Sequence, residues 1–188
     1  MSLFFKNYIK NFSKILISSF KKLDKNLIKC SVLFKNCRLN GGKIIFLGNG
    51  GSAAIAGHIS VDLSKNAKIR SVNFNEADLI TCLANDYGHN NWMSEALNIY
   101  CDKNDIVVLI SSSGKSSNII NAAKWCIKNN IKLITFSGNS SHNPLNKVNK
   151  EGLNFWINSK SYNYIESIHL FLLMSITDSI IGKSVYKA

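Results

Sequence analysis

A glycine-rich turn followed by a helical pattern is the first stretch of this sequence whose residue types could do chemistry. Residues 44–47 (IIFL) predict a strand buried on both faces, and the turn at residues 48–51 (GNGG) has almost no side-chain bulk. Ser52 is a candidate N-cap for the helical stretch that follows. Because a helix N-terminus presents unpaired backbone N–H groups that stabilise an anion, the turn predicts a phosphate site.

A second turn of small polar residues follows another predicted strand, at residues 105–110. The residues of this turn are Ser111, Ser112, Ser113, Gly114, Lys115, Ser116 and Ser117. Helix capping would explain one serine in a turn but not five. Hydroxyls and backbone amides converge here, where a phosphate would need donors. Since ligands of open parallel sheets bind at the carboxyl ends of strands, we expect both turns to bind one anion.

His58 and Asp62 are the third candidate group. They lie four residues apart on the helix predicted after the first turn, so they share one face of it. A histidine and a carboxylate side by side could transfer protons. A pair at this spacing is also common as a solvated or core-satisfied pair, so the spacing alone does not decide the role.

The elements that would position these residues alternate between strands and helices. Near-continuous apolar runs predict five strands, at residues 44–47, 70–74, 105–110, 131–136 and 153–157. The pattern indicates an α/β fold with a parallel five-stranded sheet covered by helices on both faces. Residues 3–39 predict two helices with a break at Asp24, and residues 163–181 predict a long final helix. Two further helices are expected to join at residues 86–91.

Length and composition favour one domain that spans residues 1–188, with residues 1–40 as an N-terminal helical region. The formal charge of +12 comes almost wholly from lysines, with Arg38 and Arg70 as the two arginines, so a nucleic-acid reader is not expected. No apolar run is long enough to predict a membrane span. Unpaired thiols in a reducing cytoplasm are expected of five scattered cysteines: Cys30, Cys37, Cys82, Cys101 and Cys126.

Four stretches of the chain resemble the phosphoheptose isomerases, a subfamily of the SIS (sugar isomerase) domain proteins. They are GNGGSAAIAGHISVDL from residue 48, LANDYG from residue 83, ISSSGKSSNII from residue 110 and YIESIH from residue 164. The resemblance covers nearly the whole chain. It implies a single SIS domain and the isomerisation of sedoheptulose 7-phosphate to D-glycero-D-manno-heptose 7-phosphate, which is used in lipopolysaccharide or capsule.

The resemblance also implies roles for individual residues. Asp62, at the family's glutamate position, and His58 are the expected catalytic residues. The substrate-binding residues that we expect are Asn49, Gly50, Gly51, Ser52, Asp86, Ser111, Ser112, Ser113, Ser116 and Glu166. Some members carry zinc, for which His58, Asp62 and Glu166 would be the ligands here. No sequence feature establishes a metal, and no other cofactor is expected.

The C-terminal helix departs from the family pattern. Glu166 stands where the family has a glutamine, Met174 where it has the catalytic histidine, and Asn163 where it usually has an aspartate. Methionine cannot exchange a proton. His169 does not obviously replace the missing histidine, because five residues along a helix correspond to about 140° around the axis.

Three functional hypotheses follow. The first is a cytoplasmic isomerase that forms a homotetramer, with N-terminal helices in the assembly and sites at subunit boundaries, as the resemblance implies. The second is a regulatory protein that binds a sugar phosphate without turnover, as in the replication-initiator-associating members of the subfamily. The third is an isomerase of a different sugar phosphate.

Overall fold

Five parallel strands form one sheet in the computed structural model, which describes residues 1–185. The strands are β1 (Ile44–Gly48), β2 (Ser71–Asn73), β3 (Ile106–Ser111), β4 (Lys132–Gly138) and β5 (Leu153–Ile157). Their order in the sheet is β2-β1-β3-β4-β5, and every pairing is parallel. β1 and β3 are buried along their whole length, which explains their continuous apolar sequences. The predicted fold class and five strands are confirmed.

Within the described residues, seven helices cover the two faces of the sheet. They are α1 (Leu3–Leu39), α2 (Gly51–Lys65), α3 (Ala77–Tyr87), α4 (Trp92–Tyr100), α5 (Ser117–Lys128), α6 (Pro144–Val148) and α7 (Tyr162–Ile181). One core packs α1, α2 and α7 against residues such as Phe46 and Val108, and the other packs α3 to α6 against Leu47 and Leu109. Neighbouring residues of a strand enter opposite cores because side chains alternate across a sheet.

The N-terminal region differs from the prediction of two helices. α1 is a single helix of 37 residues that passes through Asp24 without a break. The sequence contains no glycine or proline there, and Asp24 is exposed, so its carboxylate keeps its water. Leu23 is buried beside it, and the Asn26 amide donates a hydrogen bond of 3.0 Å to the carbonyl of Asn154 at the edge of the sheet. Packing along β5 therefore keeps the helix continuous.

The final helix α7 is, among residues 1–185, the one helix long and apolar enough to cross a membrane by length and composition. It packs against α1 and α2 in this fold. Seven of its residues are buried in the protein: Ile165, Ile168, His169, Leu172, Leu173, Ile176 and Thr177. We interpret it as a core helix.

The connections around β1 create a crevice at the carboxyl ends of β1 and β3. From β1 the chain passes through α2 to β2 on one side, and β3 pairs with β1 on the other side. Strand order therefore reverses between β1 and β3. In open parallel sheets, ligands bind outside the carboxyl ends of the strands at such a reversal.

Candidate functional site

The two turns predicted from the sequence meet in this crevice. They line a pocket of about 290 Å³, which we call the serine–glycine pocket. Its polar and glycine residues are Asn49, Gly50, Gly51, Ser52, Ser111, Ser112, Ser113, Ser116, Tyr162 and Glu166. The pocket thus brings together every predicted substrate-binding residue except Asp86.

The backbone of the first turn requires glycine. Gly50 has φ +52° and ψ −121°, a conformation in which a side chain would be strained. A Cβ on Gly48 would meet the backbone of Ser52, and one on Gly51 would collide with the carboxylate of Glu166. The turn therefore lets the first residues of α2 fold closely over the end of β1, and it lets Glu166 approach the N-terminus of α2.

The loop after β4 packs against the second turn and supports it. Gly114, at φ +64°, packs directly against the side chain of Asn143. Asn143 is buried, and its amide nitrogen donates hydrogen bonds of 3.1 Å to the Ser137 hydroxyl and 2.8 Å to the Ser140 carbonyl. The backbone N–H of Leu145 donates to the Gly114 carbonyl at 3.1 Å. These contacts hold the serine turn in place at the end of β3.

A pair of asparagines joins the two turns. Asn49 and Asn118 exchange two amide hydrogen bonds, each of 3.0 Å, and Asn118 is buried at the start of α5. Two reciprocal bonds between planar amides fix both the separation and the orientation of the groups that carry them. The N-termini of α2 and α5 are therefore held towards one pocket.

Glu166 is the charged residue of the serine–glycine pocket. It extends from α7, and the Ser112 hydroxyl donates a 3.1 Å hydrogen bond to its Oε1 atom. Among residues 1–185, no lysine, arginine or histidine lines the pocket. An anion bound there would rely on helix N-termini and hydroxyls for its attraction, and it would meet one carboxylate.

His58 and Asp62 contact each other on α2, with 3.2 Å between Nε2 of His58 and Oδ2 of Asp62. The Asn66 amide donates to the other oxygen of Asp62 at 3.3 Å. The predicted shared face is therefore confirmed. However, the pair lies outside the serine–glycine pocket, since His58 is about 10 Å along the helix axis from Gly51 at about 1.5 Å per residue. The His58 side chain is 52% exposed and that of Asp62 is 28% exposed.

The zinc ligand set implied by the resemblance is not assembled within one chain. Among residues 1–185, no three histidine, cysteine, aspartate or glutamate side chains lie close enough to hold a metal ion together. The reason is that Glu166 packs against Gly51 at the start of α2, whereas His58 and Asp62 project two to three turns further along it. One chain therefore does not fit a zinc ion at His58, Asp62 and Glu166.

Comparison with known proteins agrees with this architecture, since residues 7–138 match the SIS domain family. The chain belongs to the SIS domain family. The phosphoheptose isomerase of Shewanella pealeana is 26% identical over 170 residues, which cover 87% of this chain and 86% of the relative.

Two solved structures share the fold of this SIS domain. The phosphoheptose isomerase of Neisseria gonorrhoeae has a TM-score of 0.86 at 24% identity, with 93% of this chain and 96% of that chain covered. The corresponding enzyme of Francisella tularensis has a TM-score of 0.87 at 24% identity, with 97% and 100% covered. The long N-terminal helix and the five-stranded sheet are therefore features of this SIS fold.

The C-terminal helix of this SIS domain has no exposed histidine. His169 is fully buried, and its Nε2 atom donates a 3.1 Å hydrogen bond to the Ser137 carbonyl. Burial lowers the pKa of His169 to about 4, so its imidazole is neutral at physiological pH. Met174, which the sequence resemblance places at the position of a family histidine, is 38% exposed. His169 is thus a core residue and does not take over the missing role.

Asp86 is the predicted substrate-binding residue that one chain does not bring to the pocket. It is exposed in the last turn of α3, and the Asn85 amide donates to its carboxylate at 2.9 Å. Sequence reasoning also missed Asn118 and Asn143. The signal for Asn143 was its place before Pro144, which predicts an N-cap, and its Oδ1 atom does accept from the N–H of Asn146 at 2.9 Å.

Proposed function

We propose that this chain isomerises sedoheptulose 7-phosphate to D-glycero-D-manno-heptose 7-phosphate for the synthesis of lipopolysaccharide or capsule. The observation that carries the proposal is the serine–glycine pocket, where the two turns of a SIS domain meet. The choice of substrate rests on the name of the Shewanella pealeana relative, a phosphoheptose isomerase that aligns with 87% of this chain.

The pocket has the donors that a phosphate ester needs. The Ser111 and Ser116 hydroxyls lie 3.3 Å apart, so they converge on one point at the N-terminus of α5. The N-terminus of α2 faces the same pocket from β1, and the two helix dipoles favour negative charge there. The phosphate end of the substrate would therefore bind in the pocket, and the sugar carbons would extend out of it.

The isomerisation itself moves one proton between two carbons. In our proposal the Asp62 carboxylate takes a proton from C1 of the ketose, which gives an enediol, and returns it to C2. His58 moves a proton between the oxygens on C1 and C2. The two side chains are 3.2 Å apart, so the imidazole can hold the carboxylate in one orientation during both transfers.

The substrate site would be completed by a second copy of the chain. One copy leaves the His58–Asp62 pair half-exposed and outside the serine–glycine pocket. A neighbouring subunit that covers α2 would exclude water from the pair and could bring it to the sugar end of the substrate. We therefore place the complete site at a subunit boundary.

An apolar surface at the start of α1 supports this assembly. Four of its residues are more than half exposed: Leu3, Phe4, Phe5 and Ile9. The surface continues onto α7, because Tyr8 of α1 packs edge-on against Tyr164 of α7 with ring centroids 4.8 Å apart. Contiguous exposed aromatic surface of this kind marks an interface. We propose a homotetramer, which sedimentation at micromolar concentration would test against a monomer of 20.9 kDa.

A cytoplasmic location fits the state of the cysteines. All five of them are free thiols: Cys30, Cys37, Cys82, Cys101 and Cys126. Free thiols are the rule in reducing compartments, and secreted proteins of this size commonly carry disulfides. The proposed substrate, a phosphorylated sugar, would also be present in the cytoplasm.

A second candidate function is the binding of a sugar phosphate without turnover. Met174 favours it, because the exposed side of α7 offers a thioether where the resembling enzymes have an imidazole. His169 cannot compensate from the core. In that case the serine–glycine pocket would sense the sugar phosphate, and the bound state would control a partner.

One experiment separates the two functions. The full chain is incubated with sedoheptulose 7-phosphate in D₂O, and NMR follows deuterium incorporation at C1 and C2. We expect slow exchange in the parent and faster exchange in the Met174→His variant, since general acid–base groups contribute about 100-fold to 10,000-fold. If neither protein exchanges a proton while both bind the sugar phosphate, the regulatory function replaces the isomerase.

A further inference from the structure

A second cavity lies at the amino ends of the strands, whereas the serine–glycine pocket lies at their carboxyl ends. It encloses about 530 Å³ between the amino ends of β4 and β5, the middle of α1 and the turn from α6 to β5. β4 runs from Lys132 at this cavity to Gly138 at the carboxyl end of the sheet, a span of about 20 Å at roughly 3.3 Å per residue. The proposed isomerisation therefore leaves this cavity unused.

The walls of the cavity are apolar. Leu33 contributes from α1, Leu133 from β4, Val148 from α6 and Leu153 from β5. Leu133 and Leu153 are more than nine-tenths buried, so the floor belongs to the packed core of the domain. The volume is within the range of about 300 to 1,000 Å³ that small-molecule sites occupy. A hydrocarbon or aromatic group would be desolvated against this floor.

The rim of the cavity is cationic. Lys29, Lys132 and Lys150 line it, together with one acidic residue, Glu151. Glu151 lies 3.9 Å from the ammonium group of Lys150. Lys29 and Lys132 take part in no ion pair within the part of the chain that the structure describes. Two uncompensated ammonium groups therefore stand over an apolar floor.

The turn that carries Lys150 is held rigidly. Asn149 is buried, and its amide donates to Oδ1 of Asn154 at 3.2 Å, while the Asn154 amide donates back to the Asn149 carbonyl at 2.7 Å. A side chain on Gly152 would collide with that of Asn149. The wall is thus preformed, which reduces the ordering cost of binding.

We propose that this cavity, the lysine-rimmed cleft, binds an organic anion with an apolar body, such as an aliphatic or aromatic carboxylate, sulfonate or monophosphate ester. The apolar body packs against Leu33, Leu133 and Leu153. The anionic group lies between Lys29 and Lys132. An inorganic anion lacks the apolar contact and a neutral hydrocarbon lacks the charge, so each binds more weakly than the combination.

The probe for the test is 1-anilinonaphthalene-8-sulfonate, an aromatic sulfonate whose fluorescence rises in apolar sites. It is titrated into the full-length parent and into a Lys29→Glu, Lys132→Glu double variant. The matched control is a Lys124→Glu, Lys128→Glu double variant, which makes the same change in net charge at exposed positions of α5 outside the cleft. We expect the affinity for the sulfonate to fall about tenfold or more in the first variant and less than about twofold in the control.

A neutral probe checks that charge is the cause. N-phenyl-1-naphthylamine has the same aromatic body without the sulfonate, and its affinity should be equal in all three proteins. Unfolding temperatures confirm folding, and a Lys29→Gln, Lys132→Gln pair replaces the first variant if it does not fold. Equal sulfonate affinity in the parent and the cleft variant overturns the proposal, as does an equal loss in the control variant or an equal loss of the neutral probe.

Discussion

The serine–glycine pocket and the His58–Asp62 pair both include residues of α2, yet they differ in how far one chain completes them. The pocket is fixed by the Asn49–Asn118 bonds between its turns and by Asn143 beneath the serines. The pair is half-exposed and has one further polar contact, from Asn66. In the proposed function, one chain thus builds the anchoring part of a sugar-phosphate site but leaves the proton-transfer part open to solvent.

The difference has a physical origin. A phosphate is held largely by backbone amides and small hydroxyls, which a strand–turn–helix junction supplies by its geometry alone. Proton transfer needs side chains placed to within a fraction of an ångström in a site that excludes water, and displacement by 1 Å can cost about 100-fold. In the proposed function, binding and turnover therefore depend on different residues, and variants should separate them.

The largest expected effect follows from removal of the Asp62 carboxylate. Asp62→Asn keeps the size of the side chain but cannot accept a proton from carbon, so we expect isomerisation to fall by about 100-fold to 10,000-fold. Affinity for the sugar phosphate should change less than twofold, because Asp62 lies outside the serine–glycine pocket. Deuterium exchange by NMR and calorimetric titration measure the two quantities.

The matched control for that variant is Asp24→Asn, which removes an exposed carboxylate from α1. It should leave both quantities unchanged. A variant of Asp62 that retained parental exchange would exclude it as the base. If affinity and turnover fell equally, the His58–Asp62 pair would contribute to binding as much as the pocket does. The proposed division between binding and turnover would then be wrong.

The next largest effect concerns the pocket alone. A Ser113→Ala, Ser116→Ala double variant removes two hydroxyls from the pocket, and hydrogen bonds to charged groups contribute about 1.5 to 3 kcal/mol each. We expect the dissociation constant for the sugar phosphate to rise about 100-fold or more by calorimetry. Ser117→Ala, an exposed neighbour outside the pocket, should change it less than twofold. Tight binding by the double variant would assign the phosphate elsewhere.

Stability depends on a different imidazole from the one assigned to chemistry. Burial lowers the pKa of His169 to about 4, whereas the unfolded chain protonates it near 6.5. The neutral form stabilises the fold fully above pH 6.5. This contribution is lost as the pH falls towards 4, at about 1.4 kcal/mol per pH unit. Urea unfolding across this range should show the slope in the parent.

Replacement of the buried imidazole tests this assignment. His169→Gln keeps an amide N–H for the Ser137 carbonyl and does not titrate, so its unfolding free energy should lack that part of the slope. An unchanged slope in His169→Gln would show that other groups cause it. Met174→His, on the exposed side of α7, should leave the slope as in the parent.

Much of this architecture could be predicted from the sequence because its signals are local. Each buried strand is a run of apolar residues, and each turn of the serine–glycine pocket is a cluster of glycine or serine between a strand and a helix. The prediction of a helix break at Asp24 was wrong. An exposed aspartate is tolerated within a helix when the residues beside it pack on β5. Local signals thus report elements better than they report helix continuity.

Contacts between distant parts of the chain could not be predicted. The Asn49–Asn118 bonds and the packing of Asn143 on Gly114 join residues on different elements, and asparagine carries no local sign of such a partner. The expected zinc ligands likewise lie on different elements, and within residues 1–185 one chain does not bring the three of them together. The spacing of His58 and Asp62 defines a face of α2, but it does not tell which side of that helix Glu166 reaches.

The smallest expected effect concerns the one carboxylate within the pocket. Glu166 accepts a hydrogen bond from Ser112, and no cationic side chain of the described part of the chain lines the pocket to offset its charge. Glu166→Gln preserves an oxygen acceptor for Ser112 and removes the charge, so inorganic phosphate should bind about three- to tenfold more tightly. The gain should shrink in high salt, because screening weakens repulsion between partly exposed charges. Glu76→Gln, an exposed carboxylate outside the pocket, should have no effect. Weaker phosphate binding by Glu166→Gln would show instead that the carboxylate orients the donors of the pocket, and anchoring would then depend on α7 as much as on the two turns.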